Sequence, residues 1–283
     1  MLYDASFIGT HKGNRMRIAN WIGMIILSAV IASPAFTKDV ALANAIAGSH
    51  RTPELVARDG ARHPQQELEF FGIKPNMTVV EISPGGGYWT EILAPYLQDK
   101  GTFYTTVGPR AAGERAVKAA DAWQAKLDAN KEVYGKTKVA EFGRGTIDIV
   151  PEGSADMVLT FRNVHNWMMS NMADDSFAAF FRALKPGGIL GVEEHRGRND
   201  QPQDPKGSSG YVRQDYAIQL AEKAGFKLVG KSELLANPKD TKDYPGGVWT
   251  LPPTLRLGEQ DKEKYLAIGE ADNFILKFQK PRS

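Results

Sequence analysis

The sequence predicts an α/β fold: a doubly wound, mostly parallel sheet with helices on both faces. Three observations predict it. A short apolar run, Thr78 to Ile82, passes through Gly85-Gly86-Gly87 into an apolar helix, Trp89 to Leu97, the strand–turn–helix unit that opens such folds. Further apolar and β-branched runs alternate with helical stretches down the chain. Near its middle, Lys185-Pro186-Gly187-Gly188 turns a helix rich in phenylalanine into another apolar run.

The 283 residues suffice for one full domain or two small ones. Hydrophobic content of 42% and charged content of 24% are ordinary for a folded soluble domain. A net charge of +2 argues against a broad nucleic-acid footprint, which needs concentrated Lys and Arg. The absence of cysteine excludes disulfides, thiolate zinc sites and a cysteine nucleophile.

Residues 1–35 read as a segment outside the fold. Lys12, Arg15 and Arg17 precede an apolar stretch from Ile18 to Ala32, and Ser33-Pro34-Ala35 places small residues as at a cleavage site. This is the layout of a secretory signal peptide, or, if uncleaved, of an inner-membrane anchor. Either places the domain outside the inner membrane, periplasmic or secreted. Residues 36–76 read as an N-terminal helical segment: Val40 to Ala47 is alanine-rich, His50 to Arg62 is charged, and Pro64 to Phe71 is a short helix with proline at its start and Gly72 at its end. Arg58, Asp59, Arg62 and His63 are either ligand-covering groups or a solvated face. The main domain spans 77–283.

Within it, Gly101 to Val107 is the second strand and Ala111 to Tyr134 one long helix with Trp123 on its apolar stripe. Lys138 to Phe142 is the third strand. Ser154 to Phe161 is the fourth, ending in the polar run Arg162-Asn163-Val164-His165-Asn166. Asp174 to Leu184 is a helix and Ile189 to Glu193 the fifth strand, which runs into Glu194-His195-Arg196. Gly197 to Gly210 reads as a lid loop, Tyr211 to Ala224 as a helix, Gly225 to Val229 as the sixth strand, Asn237 to Gly258 as an irregular insertion, and Phe274 to Phe278 as the last strand. Ligands in open α/β sheets sit at the carboxyl ends of the strands. His165, Asn166, Glu193 and His195 therefore become candidate catalytic groups: a histidine as base, with Glu193 or Glu194 orienting it. Two histidines and a carboxylate also suit a metal, but no local ligand motif supports one, and no metal is assigned.

Glu81-x-x-Pro-Gly-Gly-Gly-Tyr resembles motif I of the class I S-adenosylmethionine (SAM)-dependent methyltransferases, closest to a group of bacterial, often exported, methyltransferases. Arg182-Ala183-Leu184-Lys185-Pro186-Gly187-Gly188-Ile189-Leu190 is similar to the R-x-L-K-P-G-G-x-L signature of the same proteins. The resemblance covers residues 65 to 280. It implies a Rossmann-like sheet with an antiparallel last strand that closes it. It also implies SAM as cofactor, transferring methyl to a small-molecule substrate, with Glu81, Ser83, Pro84, Gly85, Gly86, Gly87, Tyr88, Thr106, Glu141 and Asn163 as cofactor contacts. Tyr211 and Arg213 would touch substrate under the lid. The sequence departs from the pattern where the second strand carries Thr106 instead of the usual ribose-binding carboxylate. A threonine hydroxyl in place of a carboxylate weakens such binding by about tenfold. The alternatives are a non-catalytic ligand-binding protein on the same fold, or a metal-dependent hydrolase or lyase using His165, His195 and Glu193.

Overall fold

A computed structural model describes residues 39–282; the expected signal or anchor over 1–35 lies outside the described residues. Among these, no helix is long and apolar enough to cross a membrane. Four short helices come first: α1 (Val40–Ile46), α2 (Pro53–Val56), α3 (Asp59–Arg62) and α4 (Pro64–Phe71). Then follow β1 (Thr78–Ile82), α5 (Thr90–Leu97), β2 (Thr102–Val107), α6 (Glu114–Asp128), α7 (Lys131–Tyr134), β3 (Lys138–Glu141) and β4 (Ala155–Phe161). The chain continues through α8 (Val164–Met169), α9 (Ala173–Ala183), β5 (Leu184–His195), α10 (Gln214–Lys223), β6 (Lys227–Ser232), α11 (Lys262–Ile268) and β7 (Asn273–Gln279).

The strands form one sheet in the order β3-β2-β1-β4-β5-β7-β6. β1 pairs in parallel with β2 and β4, and β4 with β5. β7 runs antiparallel to both β5 and β6. The expectation that the last strand closes the sheet is thus corrected: β7 inserts between β5 and β6, and β6 is the edge.

Strand alternation divides the core into two layers. Val79, Met157, Leu159 and Ile275 face α1, α4, α5 and α6. Val80, Val158, Val192 and Phe274 face α8, α9 and α10. The segment 36–76 belongs to the first layer, where Leu42 and Leu68 are fully buried.

The expected long helix over Ala111 to Tyr134 is broken. Gly113, at φ 114°, separates a 3₁₀ turn from α6, and Asn130, extended at φ −141°, ψ 79°, separates α6 from α7. Both residues are poor helix formers. β5 begins earlier than expected. Leu184 pairs with Ala155, and the Lys185–Gly188 turn forms a bulge before pairing resumes at Met157 and Ile189. The polar run after β4 turns at Arg162, φ 60°, and passes through Asn163 into α8, which Val164-His165-Asn166 open.

Candidate functional site

The turn after β1 is built from unusual backbone angles: Ser83, Gly85 and Gly87 have φ of 53°, 58° and 90°. Glycine adopts these without steric cost, and the short, polar Ser83 is held in place. Its N–H donates to Thr106 Oγ1 at 2.8 Å, and Gly87 N–H donates to the Pro84 carbonyl at 2.9 Å. A Cβ on Gly85 or Gly86 would meet nothing within 4 Å, whereas one on Gly87 would meet Trp123 and Lys126 at 3.2 Å. The first two glycines are the open floor, and the third is a packing position. Lys126 Nζ braces the turn by donating to the Gly86 carbonyl at 2.8 Å.

Below the turn lies Glu81, 1% exposed, accepting a hydrogen bond from the Thr90 hydroxyl. Burial pushes its pKa up to about 8, against the opposing effect of Thr90 and Lys126, so it holds its proton at neutral pH. Asn163 ties the ends of β1 and β4 together: its Nδ2 donates to the carbonyls of Ile82 at 3.1 Å and Phe161 at 3.2 Å.

These residues border a cavity of about 290 Å³ at the carboxyl ends of β1, β4 and β5. Trp89 stacks on Phe161 at 4.2 Å between centroids and forms an aromatic wall. The insertion after β6 supplies the roof: Trp249 and Pro252-Pro253 line the cavity, with Trp249 edge-on to His165 at 5.7 Å. Arg58, Arg62 and Arg162 make the third wall.

The arginine wall is balanced from behind. Arg58 grips Glu270 with two hydrogen bonds of 2.7 Å, and Arg162 reaches the same carboxylate at 3.3 Å. Arg62, 2% exposed, lies over the Tyr88 ring at 4.6 Å and 3.8 Å from Glu193, with Nε and Nη2 lacking a hydrogen-bond partner among the described residues. Burial raises Glu193 to about 7 even with Arg62 beside it. Burial and the charge of Glu193 drive Glu67, just beneath, well above the usual carboxylate range. Tyr88 donates to Asp59 at 2.7 Å, which links the turn to the N-terminal helices.

At the far side sit two histidines. His165 Nδ1 is 3.0 Å from Glu194 Oε1, and Glu194 also accepts the backbone N–H of His195 at 2.8 Å and of His165 at 3.2 Å. Burial acts to raise Glu194, but His165 and these N–H groups hold it below the ordinary carboxylate value. An ionised acceptor there makes His165 Nδ1 the donor. His195 Nδ1 lies 2.7 Å from Asn273 Oδ1, while Asn273 Nδ2 donates to Glu193 at 3.2 Å. That second bond orients the amide, so His195 carries its proton on Nδ1. Burial pushes the His195 pKa down to about 4, which keeps the ring neutral.

The structure thus brings Glu81, Ser83, Pro84, Gly85, Gly86, Tyr88, Asn163, His165, Asn166 and His195 to one cavity. It places other expected contacts elsewhere. Thr106 is turned into the Ser83 N–H. Glu141 sits in β3, paired with Val107, outside the cavity lining. Tyr211 is 5% exposed and donates to Asp240 at 2.9 Å, so its expected substrate contact is replaced by a packing role. Arg213 pairs with Asp215 and donates to the Gln201 carbonyl at 2.8 Å, on a separate surface groove. Glu193 lies behind the arginine wall, and Glu194 is the carboxylate on His165. The loop 197–210 folds onto α8, where a Cβ on Gly207 would lie 3.3 Å from His165 Cα. Of the two roles expected for the charged cluster, Arg58 and Arg62 take the one against the cavity, and Trp249 is a lining residue that the sequence did not single out. The charged cluster before α4 and the tryptophan among prolines were the available signals.

No protein-family model matches the chain, and no curated protein matches it in sequence. Solved structures do match. A SAM dependent methyltransferase from Aquifex aeolicus superposes with a TM-score of 0.51 at 17% identity, over 79% of this chain and 92% of that one. The [4+2]-cyclase SpnF superposes with a TM-score of 0.53 at 16% identity, over 86% of this chain and 93% of that one. With its sheet order and antiparallel β7, the chain has the Rossmann-like methyltransferase fold.

Proposed function

We propose that the protein is a SAM-dependent methyltransferase acting on a small molecule, exported to the cell envelope through residues 1–35. One observation carries the reading: the open Gly85–Gly86 floor and His165, held from behind by Glu194, line a single cavity at the strand ends.

A Cβ on Gly85 or Gly86 would fill empty space, so the turn has room for a ligand against its backbone. Tyr88 and Asn163 flank that room. The ribose end is weaker, since the Thr106 hydroxyl already accepts the Ser83 N–H. The methionyl half therefore has the better-formed contacts, and micromolar rather than tighter affinity is expected.

Bound SAM would supply an electrophilic methyl group on its sulfonium. The chain's own residues do the rest. The Trp89–Phe161 wall and the Trp249 roof exclude water and hold the acceptor in line. His165 presents Nε2 to the cavity and takes a proton from an acceptor hydroxyl, amine or thiol, while Glu194 stabilises the resulting imidazolium. His195 stays neutral and accepts a hydrogen bond rather than a proton.

A second reading, a ligand-binding protein without transfer activity, is favoured by the committed Thr106 hydroxyl. The cyclase on the same fold illustrates that this scaffold does not dictate methyl transfer. Calorimetric titration of the full chain with SAM and S-adenosylhomocysteine separates the two. Micromolar binding of both supports the transferase. No binding up to millimolar, in protein folded by circular dichroism, overturns it. Fractionation of expressing cells tests the export.

A further inference from the structure

The His165 and His195 rings lie 5.6 Å apart between centroids, inclined by 30°. Each ring has one nitrogen engaged, by Glu194 and by Asn273, and the other nitrogen has no hydrogen-bond partner among the described residues. Both residues line the cavity. His165, Glu194 and His195 are 3%, 0% and 8% exposed, and one ligand atom from each falls within 4.8 Å of the other two.

The set joins two imidazoles to a carboxylate at one corner of the cavity, with His165 Nδ1 on Glu194 and His195 Nδ1 held by Asn273. An ion bound there takes the place of the proton between His165 Nδ1 and Glu194, and that proton is released on binding. We propose that His165, Glu194 and His195 bind a divalent transition-metal ion whose remaining positions face the cavity. Two imidazole nitrogens and one carboxylate oxygen suit zinc, iron(II) or cobalt(II) better than magnesium or calcium, which prefer all-oxygen shells. Ligand distances of about 2.0–2.2 Å put donors around one ion roughly 3.5 Å apart, so closing the set takes side-chain shifts of about 1 Å. The outer contacts match those of metal-bound histidine: Asn273, itself oriented by Glu193, fixes the His195 tautomer from behind. Glu193 takes no part as a ligand, because it lies on the arginine side of β5. An ion here would hold the oxygen, nitrogen or sulfur of a bound acceptor beside the glycine turn. It goes beyond the methyltransferase reading: the bound ion would replace the His165–Glu194 pair as the group that activates the acceptor, while the glycine turn keeps its own contacts.

The test uses full-chain protein stripped with chelator and titrated with cobalt(II), then with zinc(II) in competition. One equivalent of cobalt at micromolar affinity or tighter, with visible d–d bands abolished by zinc, is expected. His195→Gln and Glu194→Gln each weaken binding at least about 100-fold. Paramagnetic shifts on the His165 and His195 ring protons, followed by NMR in the unmodified protein, keep the test valid if a variant fails to fold. Absence of d–d bands and ring shifts at 1 mM cobalt (about a thousandfold above the expected midpoint) overturns the proposal. So does undiminished binding in folded His195→Gln. SAM titration of the same stripped protein reports on the transferase reading independently.

Discussion

The Glu194 carboxylate meets His165 Nδ1 at 3.0 Å, across 29 residues of sequence, and in the same geometry accepts the backbone N–H groups of both cavity histidines. This one group sets the direction in which His165 presents its free nitrogen. The adjacent Glu193 has the opposite assignment, facing Arg62 and Asn273. Side chains of successive strand residues point to opposite faces, so two neighbouring glutamates serve two different networks.

His195 should remain a neutral, Nδ1-protonated ring across the neutral range. Burial lowers its pKa to about 4, so long-range ¹⁵N–¹H NMR of metal-free protein should show no titration between pH 5 and 8. Asn273→Leu removes the Oδ1 acceptor and should mix the tautomers. A ring that titrates near 6.5 in the unmodified protein would contradict the assignment.

Glu81 should make stability fall as pH rises. Its folded pKa of about 8 exceeds the ordinary 4.5, so the folded state keeps a proton that the unfolded state loses between those values. The stabilisation is complete below pH 4.5 and is lost by pH 8, with a span of about 5 kcal/mol. Glu81→Gln keeps the acceptor for Thr90 and removes the ionisation. Urea denaturation across this range should show a flatter pH dependence for the variant, and matching slopes would refute the buried-proton account.

Thr106→Val should cost stability without creating a cavity. The two side chains have nearly the same shape, but valine leaves the Ser83 N–H without its 2.8 Å acceptor. The expected loss is about 1–3 kcal/mol by chemical denaturation, with Thr106→Ser close to the parent. Equal stability of all three would mean that water replaces the hydroxyl.

Gly86→Asp should abolish SAM binding and leave the fold intact. The added side chain enters space with no atom within 4 Å, so the melting temperature should move by only a few degrees. Calorimetry that still shows micromolar SAM binding in this variant would move the cofactor away from the turn.

Much of the architecture was legible because its signals are local. The apolar run before three glycines marked β1 and the turn, and the phenylalanines of α9 with Lys185-Pro186-Gly187-Gly188 marked the entry to β5. Alternation in 274–278 marked β7, but not its place between β5 and β6, which depends on pairings with residues 78–90 positions away for β5 and 43–52 for β6. Tyr211 and Arg213 looked like substrate contacts from their position after a loop. Their partners, Asp240 and Asp215, compete for the same polar atoms and hold them outside the cavity.

The amino-acid sequence by itself determined the order of strands and helices and the site of the glycine turn, because periodicity and turn chemistry act between near neighbours. Only the tertiary structure decided which carboxylate faces which histidine, that Arg58 and Arg62 wall the cavity, and that Trp249 roofs it. Those assignments follow from contacts between distant segments, such as Arg58 with Glu270 across 212 residues and His195 with Asn273 across 78. Burial then sets the protonation of Glu81 and His195, and burial is a property of the assembled layers rather than of any stretch of chain.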